Sequence, residues 1–318
     1  MTGRKAPIAA PTLGEGDLAV NVKSFERHLK AANKSPRTIK SYIEAANLLD
    51  GFLADKGMPR NVAALTREHV EDFITDQLAR RKASTAANRY RSLQQLFKWL
   101  DEEGEITGSP MAKMKLPKVV LEPPPVLSEE QLKALLATCT DKTLIQRRDQ
   151  AILRVFIETG ARISEVAGIR WAPDDEDNND VDLDNGQLRL LGKGNRWRLV
   201  FIGSKTIKAI DRYVRTRAQH PAAHSRALWI GGKGAMTTSG LRQMVRQRGR
   251  QAGLPKQLYP HMLRHSFAHH WLSEGGGEGD LMRLAGWSSR QMLDRYGASA
   301  AEGRAISAAR RLGLGDRL

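Results

Sequence analysis

The chain has 318 residues, enough for two ordinary domains, and 41% of them are hydrophobic, enough to build the cores. Lysine and arginine number 51 against 35 acidic residues, and the resulting charge of +16 favours a polyanionic partner, nucleic acid first. A single cysteine, Cys139, excludes an internal disulfide and a cysteine-built zinc site; no apolar run is long enough to span a bilayer, and the opening MTGRKAPIAAPTLGEGD lacks the apolar core of a secretory signal, so a cytoplasmic location without a membrane partner is expected.

Residues 1–18 read as a flexible tail rich in small residues. In SPRTIKSYIEAANLLDGFL, Ser35 can cap a helix and Pro36 suits its first turn, after which Ile39, Tyr42, Ile43, Ala46, Leu49 and Phe52 recur at helical spacing. Thr66 opens a second segment with Val70, Phe73, Ile74 and Leu78 on one face. A third, AANRYRSLQQLFKWL, groups Tyr90, Leu93, Phe97 and Leu100 and leaves Arg89, Arg91 and Lys98 on its other sides. Residues 19–115 are therefore expected to form a helical bundle with basic outer faces. Pro117 and the run Pro123, Pro124 and Pro125 cannot continue a helix, which makes 116–127 a semi-rigid linker. The second domain, 128–318, begins at Ser128, followed by Glu129, Glu130 and Gln131 in the manner of a capping box. A long helical pattern ends at Gly160, ARISEVAG starts the next helix, and DLDNGQLRLLGKGNRWRLVFI reads as strand, glycine-containing turn, strand. The remainder is mostly helical, and Ile306, Ala309 and Leu312 predict a short amphipathic tail helix. The expected fold is mainly α, with a small antiparallel sheet in the second domain.

Three stretches carry chemistry. Asp180, Asp182 and Asp184 have the spacing that opens a calcium loop. The sixth position is Asn185 and the twelfth Leu191, so that reading fails, and a solvated acidic loop is expected. In HMLRHSFAHH, His261 and His265 have a spacing that can bind zinc. Met262 and Ser266 stand where the metalloprotease pattern needs glutamate, and Arg264 would set a fixed charge beside the ion, so no metal is expected. Phosphate suits the stretch better. Pro260 belongs in a first helical turn, which puts His261 where exposed N–H groups favour anions, with Arg264 one turn on. His269 and His270 are expected to be packing or surface residues. Arg162 opens a helix in TGARISE with Glu165 one turn later, and Lys193 sits in the turn LGKGNR. Alone, the first is an ordinary helix-surface ion pair and the second a solvated hairpin lysine.

Taken together and in order, SPRTIKSY, TGARISE, LDNGQLRLLGKGNRWR, HMLRHSFA, LAGWSS and DRYG make the chain from about Val20 to Tyr296 resemble the tyrosine recombinase (phage integrase) family. The resemblance implies catalytic roles for Arg162, Lys193, His261, Arg264 and the nucleophile Tyr296, with Glu165 supporting and Trp287 where many members carry histidine. It implies attack by the tyrosine oxygen on a DNA phosphodiester, a 3′-phosphotyrosyl intermediate, no cofactor and no metal. The implied partners are double-stranded DNA target sites and further copies of the chain, assembled as a tetramer, with the tail helix docked on a neighbouring subunit. Met262 and Gly297 depart from common family residues, and the acidic loop is longer than usual. Two other readings stand beside this one: a type IB topoisomerase, which relaxes DNA with similar groups, and a DNA-binding regulator with an inactive site. On the residues alone, Tyr259 and Tyr296 remain equal candidates for the nucleophile; the resemblance favours Tyr296.

Overall fold

The computed structural model describes residues 17–120, 124–140, 142–192, 194–287 and 289–293, and from the last part of the chain residues 301, 303, 305, 306, 309–311 and 313. The chain divides into two units, Met1–Leu121 and Glu122–Leu318. Four helices build the first: α1 (Leu18–Ala31), α2 (Pro36–Asp55), α3 (Arg67–Arg80) and α4 (Ala83–Glu102). Ser35 accepts the Thr38 amide at 3.2 Å and Pro36 occupies the first position of α2, the arrangement their chemistry favours. Ala46 and Leu49 of α2, Val70, Phe73 and Ile74 of α3, and Tyr90, Leu93, Phe97 and Leu100 of α4 meet in one core. Leu78, expected on the inner face of α3, is 42% exposed; the inner face in its last turns is Ile74 and Gln77. Helix α1 adds Leu18, Val22, Phe25 and Leu29 to the same core.

In the second unit Ser128 and Gln131 form the expected reciprocal cap: Gln131 donates its amide to Ser128 Oγ, and Ser128 donates its amide to Gln131 Oε1. They start α5 (Glu129–Ala137). Helix α6 (Leu144–Thr159) follows as a separate element and buries Ala151, Ile152, Leu153, Val155 and Phe156 at the centre of the core, with Arg148 and Asp149 buried beside them. Gly160, at φ +56°, ends it in the left-handed conformation. After the short α7 (Ile163–Ala167), strands β1 (Val181–Asp182), β2 (Gln187–Leu191) and β3 (Trp197–Phe201) form an antiparallel sheet in the order β1-β2-β3. Leu188 pairs with Val200, and Leu190 with Arg198. Next come α8 (Ser204–Arg217), the hairpin β4 (Ile230–Gly231) and β5 (Gly234–Ala235), α9 (Thr238–Gln251), α10 (Pro260–Ser273) and α11 (Glu278–Ala285). The fold is mainly helical with a small antiparallel sheet. Among the described residues, no helix is long and apolar enough to cross a membrane. The described helical residues of 301–311 are exposed, Ile306 among them; Leu312 lies outside the described residues.

The acidic loop is not wholly solvated. Asp180 is buried and receives Arg170 through Nε and Nη2 at 3.0 and 2.9 Å, the Arg170 amide at 2.9 Å and Arg189 Nε at 3.2 Å. A carboxylate taken out of water must be paired in this way, and here it ties the loop to the sheet. Asp182 caps its own turn by accepting the Asn185 amide and side chain, and these bonds hold its carboxyl below the usual range.

Tyr213, on α8, is fully buried. Its hydroxyl donates to Leu228 O at 3.0 Å and accepts the Ile230 amide at 2.9 Å, and burial pushes its pKa up. Arg217 Nε also reaches Leu228 O, so Tyr213→Phe orphans chiefly the Ile230 amide. The expected loss is about 1–3 kcal/mol, read as a lower thermal melting temperature; unchanged melting would mean that the hydroxyl is not holding the β4 strand.

Candidate active site

The end of α11 brings the site together. Gly286 adopts φ +63°, its amide donates to Arg283 O at 3.2 Å, and the Trp287 amide donates to Met282 O at 2.8 Å. This Schellman-type ending satisfies two of the terminal carbonyls and leaves the next three open. Arginines from three different elements take those three in sequence. Arg198 Nε on β3 donates to Leu284 O at 2.8 Å, Arg264 Nη2 on α10 to Ala285 O at 2.6 Å, and Arg162 Nη2 at the start of α7 to Gly286 O at 3.1 Å.

Arg264 is 1% exposed, and its Nη1 also donates to Gly160 O at 2.7 Å. Two fixed bonds to two loops set the plane of the guanidinium, and the Trp287 ring lies against it, 5.4 Å from ring centre to guanidinium carbon. Trp287 is itself buried, packed with Ala268, Leu272, Leu281, Ala285 and Leu293 in a second small core. Gly160 is required here: beyond its positive φ, a Cβ would overlap the Phe267 ring of α10.

Arg162 keeps 29% of its side chain exposed. Glu165 accepts its amide at Oε2 and its Nη1 at Oε1, both at 2.7 Å, and accepts Arg198 Nη2 at 2.9 Å. Glu165 is 2% exposed. Burial alone would raise its pKa, but the hydrogen bond and charge of Arg198, followed by the bonds from Arg162, outweigh that and hold the carboxyl below its ordinary value. The pair is thus no ordinary surface ion pair. One buried carboxylate stands against three guanidiniums, an excess of positive charge suited to an incoming anion.

His261 is exposed in the first turn of α10, which Pro260 begins, and its ring centroid lies 6.4 Å from that of buried His265. Among the described residues no group of three histidine, cysteine or acidic side chains is placed to hold a metal. His270 Nε2 lies 2.9 Å from Leu127 O, and Ser266 Oγ accepts the Leu127 amide at 2.8 Å, so α10 grips the start of this unit as well as carrying Arg264. His269 is held below its usual pKa by burial and by its neighbour His270.

Lys193 and Tyr296 lie outside the described residues. Beside the lysine, the Gly192 amide donates to Arg196 O at 2.8 Å, and Gly194 and Asn195 both have positive φ, the geometry of a tight turn. Of the other tyrosines, Tyr42 stacks on Phe25, Tyr90 donates to Met114 O at 2.7 Å and Tyr213 is structural. Tyr259 is 38% exposed beside the start of α10 and, among the described residues, makes no hydrogen bond to Arg162, Glu165 or Arg264. Arg198 is the member of the cluster that sequence reasoning missed. Its strand reads WRLVF, and alternation would place Trp197, Leu199 and Phe201 inward; they are 47%, 60% and 66% exposed, and Arg198 with Val200 turns in.

Glu165 gives a pH test. Because its folded pKa is depressed, its stabilisation is fully present above the ordinary carboxylate value of 4.5 and is lost as pH falls through the lower folded value. Glu165→Gln should cost roughly 3 kcal/mol at neutral pH. The deficit in melting temperature should hold steady down to the ordinary carboxylate value and close only in stronger acid. A deficit that closes near neutrality would mean that the carboxyl is not held ionised by its arginines.

The sequence matches the Phage integrase family over residues 125–302 and the Phage integrase, N-terminal SAM-like domain over residues 22–104. It is 32% identical over 240 residues to the tyrosine recombinase XerC of Xanthomonas axonopodis pv. citri, covering 75% of each chain. In fold it is similar to the XerH site-specific recombinase bound to palindromic difH substrate in a post-cleavage complex, with a TM-score of 0.72 at 19% identity, over 91% of this chain and 83% of that one. It is also similar to a lambda integrase tetramer bound to a Holliday junction, with a TM-score of 0.68 at 13% identity, over 86% and 78% of the two chains.

Proposed function

The chain belongs to the phage integrase family, and from that membership we propose how its residues work: it is a site-specific DNA recombinase that cuts and rejoins duplex DNA through a 3′-phosphotyrosyl link. The observation that carries the reading is the fixing of Arg162 and Arg264 on adjacent carbonyls of one helix end, Gly286 O and Ala285 O. The reaction places negative charge on the non-bridging oxygens of the phosphate. Two guanidiniums already locked in place stabilise that charge without reorganising, an effect worth about 3–4 kcal/mol of barrier for each donor. Tyr296 is the nucleophile. An ordinary phenol keeps its proton near neutral pH, and His261, exposed at the amino end of α10, takes it. The bond to the 5′-oxygen breaks as the bond to the tyrosine oxygen forms, and Lys193 gives the leaving oxygen its proton. Trp287 cannot act as a base, because an indole N–H only donates; it packs against Arg264 and keeps the guanidinium in place. The phosphodiester energy stays in the tyrosyl link, so rejoining needs no cofactor.

The substrate is duplex DNA carrying a specific site, and the working assembly is a tetramer of this chain on two such sites. The net charge of +16 suits that partner. The named relatives are recombinases, which favours strand exchange over simple relaxation of the topoisomerase kind and over a regulator without activity. Ile306, 47% exposed on the tail helix, supports docking of that helix on a neighbouring subunit within the tetramer.

The test uses duplexes selected from a random-sequence pool by the wild-type protein, nicked so that the cleaved strand is lost. Wild type should form a covalent protein–DNA adduct on a denaturing gel; Tyr296→Phe should bind the duplex equally and form none. Adduct formation by Tyr296→Phe would transfer the role to Tyr259. The same adduct should form in excess chelator, because arginine and lysine supply the positive charge; loss of cleavage restored by zinc or magnesium would instead make His261 and His265 metal ligands.

A further inference from the structure

We propose that Arg198, a residue outside the set assigned above, is a positioning residue for this reaction, fixing Arg162 against the end of α11; the inference rests on the recombinase reading of the same site. Arg198 bridges two acceptors that belong to different parts of the site. Its Nη2 donates to Glu165 Oε2 at 2.9 Å, and its Nε donates to Leu284 O at 2.8 Å. Glu165 in turn holds both the amide and the Nη1 of Arg162. Without Arg198, Glu165 would be a buried carboxylate paired to Arg162 alone, and the full pull of its charge would draw that guanidinium toward it and away from Gly286 O.

The packing around Arg198 points the same way. A Cβ on Gly286 would lie 3.4 Å from Arg198 Cδ and 3.5 Å from Arg162 Nη1, and one on Gly192 would lie 3.5 Å from Glu165 Oε1 and 3.9 Å from Arg198 Nη1. The residues that follow these two glycines are Trp287 and Lys193. One arginine therefore holds both the carboxylate that orients Arg162 and the helix end that receives all three guanidiniums. Its third nitrogen, Nη1, is buried and donates to nothing among the described residues. A buried orphan donor costs stability, so the side chain is not explained as a stabilising ion pair alone. Arginine supplies what lysine cannot: two N–H directions held rigidly in one plane, so that two acceptors on separate elements are kept at a fixed spacing.

The experiment compares full-length wild type, Arg198→Met, Arg198→Lys, Arg162→Lys and the double variant Arg198→Met/Arg162→Lys on the selected nicked duplexes. Binding to intact duplex should be unchanged in the Arg198 variants. The single-turnover rate of adduct formation should fall about tenfold to a hundredfold in Arg198→Met, the size expected when a catalytic group is misplaced by about an ångström. Arg198→Lys should recover part of it, since one ammonium can satisfy one of the two acceptors. If Arg198 acts through Arg162, the double variant should be no slower than Arg162→Lys alone. A wild-type rate in Arg198→Met, or losses that multiply in the double variant, would overturn the proposal. A second readout does not depend on cleavage. Removing Arg198 takes away the largest interaction that lowers the Glu165 pKa, so the melting deficit of Arg198→Met should shrink as pH falls toward and below the ordinary carboxylate value of 4.5; a deficit that stays constant through that range would also overturn it. If Arg198→Met does not fold, Arg198→Lys carries both readouts. Failure of wild type itself to form an adduct would sink the recombinase reading, while the melting curves would still decide whether Arg198 governs Glu165.

Discussion

The capture of three consecutive carbonyls by three arginines at the end of α11 is the constraint on which the site depends. A helix end carries partial negative charge and unsatisfied acceptors, and it can be closed by solvent, by a turn or by cations. Here the turn closes Met282 and Arg283, and arginines from β3, α10 and the start of α7 close Leu284, Ala285 and Gly286. The three elements are far apart in sequence. Among the described residues this helix end is the reference that all three share, so the relative placement of Arg162 and Arg264 is set by two successive peptide groups, whose Cα atoms are about 3.8 Å apart, not by the length of any loop.

That arrangement would be unstable without a counter-charge. Three guanidiniums close together repel one another, and Glu165 offsets part of the excess from a buried position, where its charge is little screened. Glycine is needed at two positions of positive φ: Gly160, where a Cβ would also overlap the Phe267 ring, and Gly286, which turns the chain beside Arg162 and Arg198. Trp287, Leu281, Ala285, Ala268 and Leu272 then lock α11 to α10 with an apolar contact that excludes water from one side of Arg264.

The four histidines of α10 divide the work by their position around the helix. His261 is exposed in the first turn, where peptide N–H groups point outward. His265 is buried one turn on, His269 is half-buried, and His270 meets the carbonyl of Leu127. With Ser266 receiving the Leu127 amide, the residue that ends the proline-rich segment is held through both of its backbone groups by the helix that bears Arg264.

Much of this was legible in the sequence. The helical spacing of Val70, Phe73 and Ile74, the Ser35–Pro36 start, the Ser128–Gln131 cap and the stop at Gly160 are local effects of side chains on their own backbone, and local chemistry decides them. Arg264 was marked by its place one turn into a helix start, where anions bind; Arg162 and Glu165, which alone read as a surface ion pair, were marked by the family resemblance. Other features needed the fold. Leu78 is exposed because neighbouring helices fix where the bundle ends. Asp180 is buried against Arg170, which precedes the loop, and Arg189, which comes to it from β2. Arg198 turns inward, against the apolar alternation of its strand, because the register with β2 sets it opposite Leu190 and within reach of Glu165 and Leu284. Its role depends on acceptors 33 residues before it and 86 after it. The sequence by itself determined which elements form and which chemistry is present; only the tertiary structure decided which charges meet, because pairing in a buried site depends on distances that no local pattern encodes.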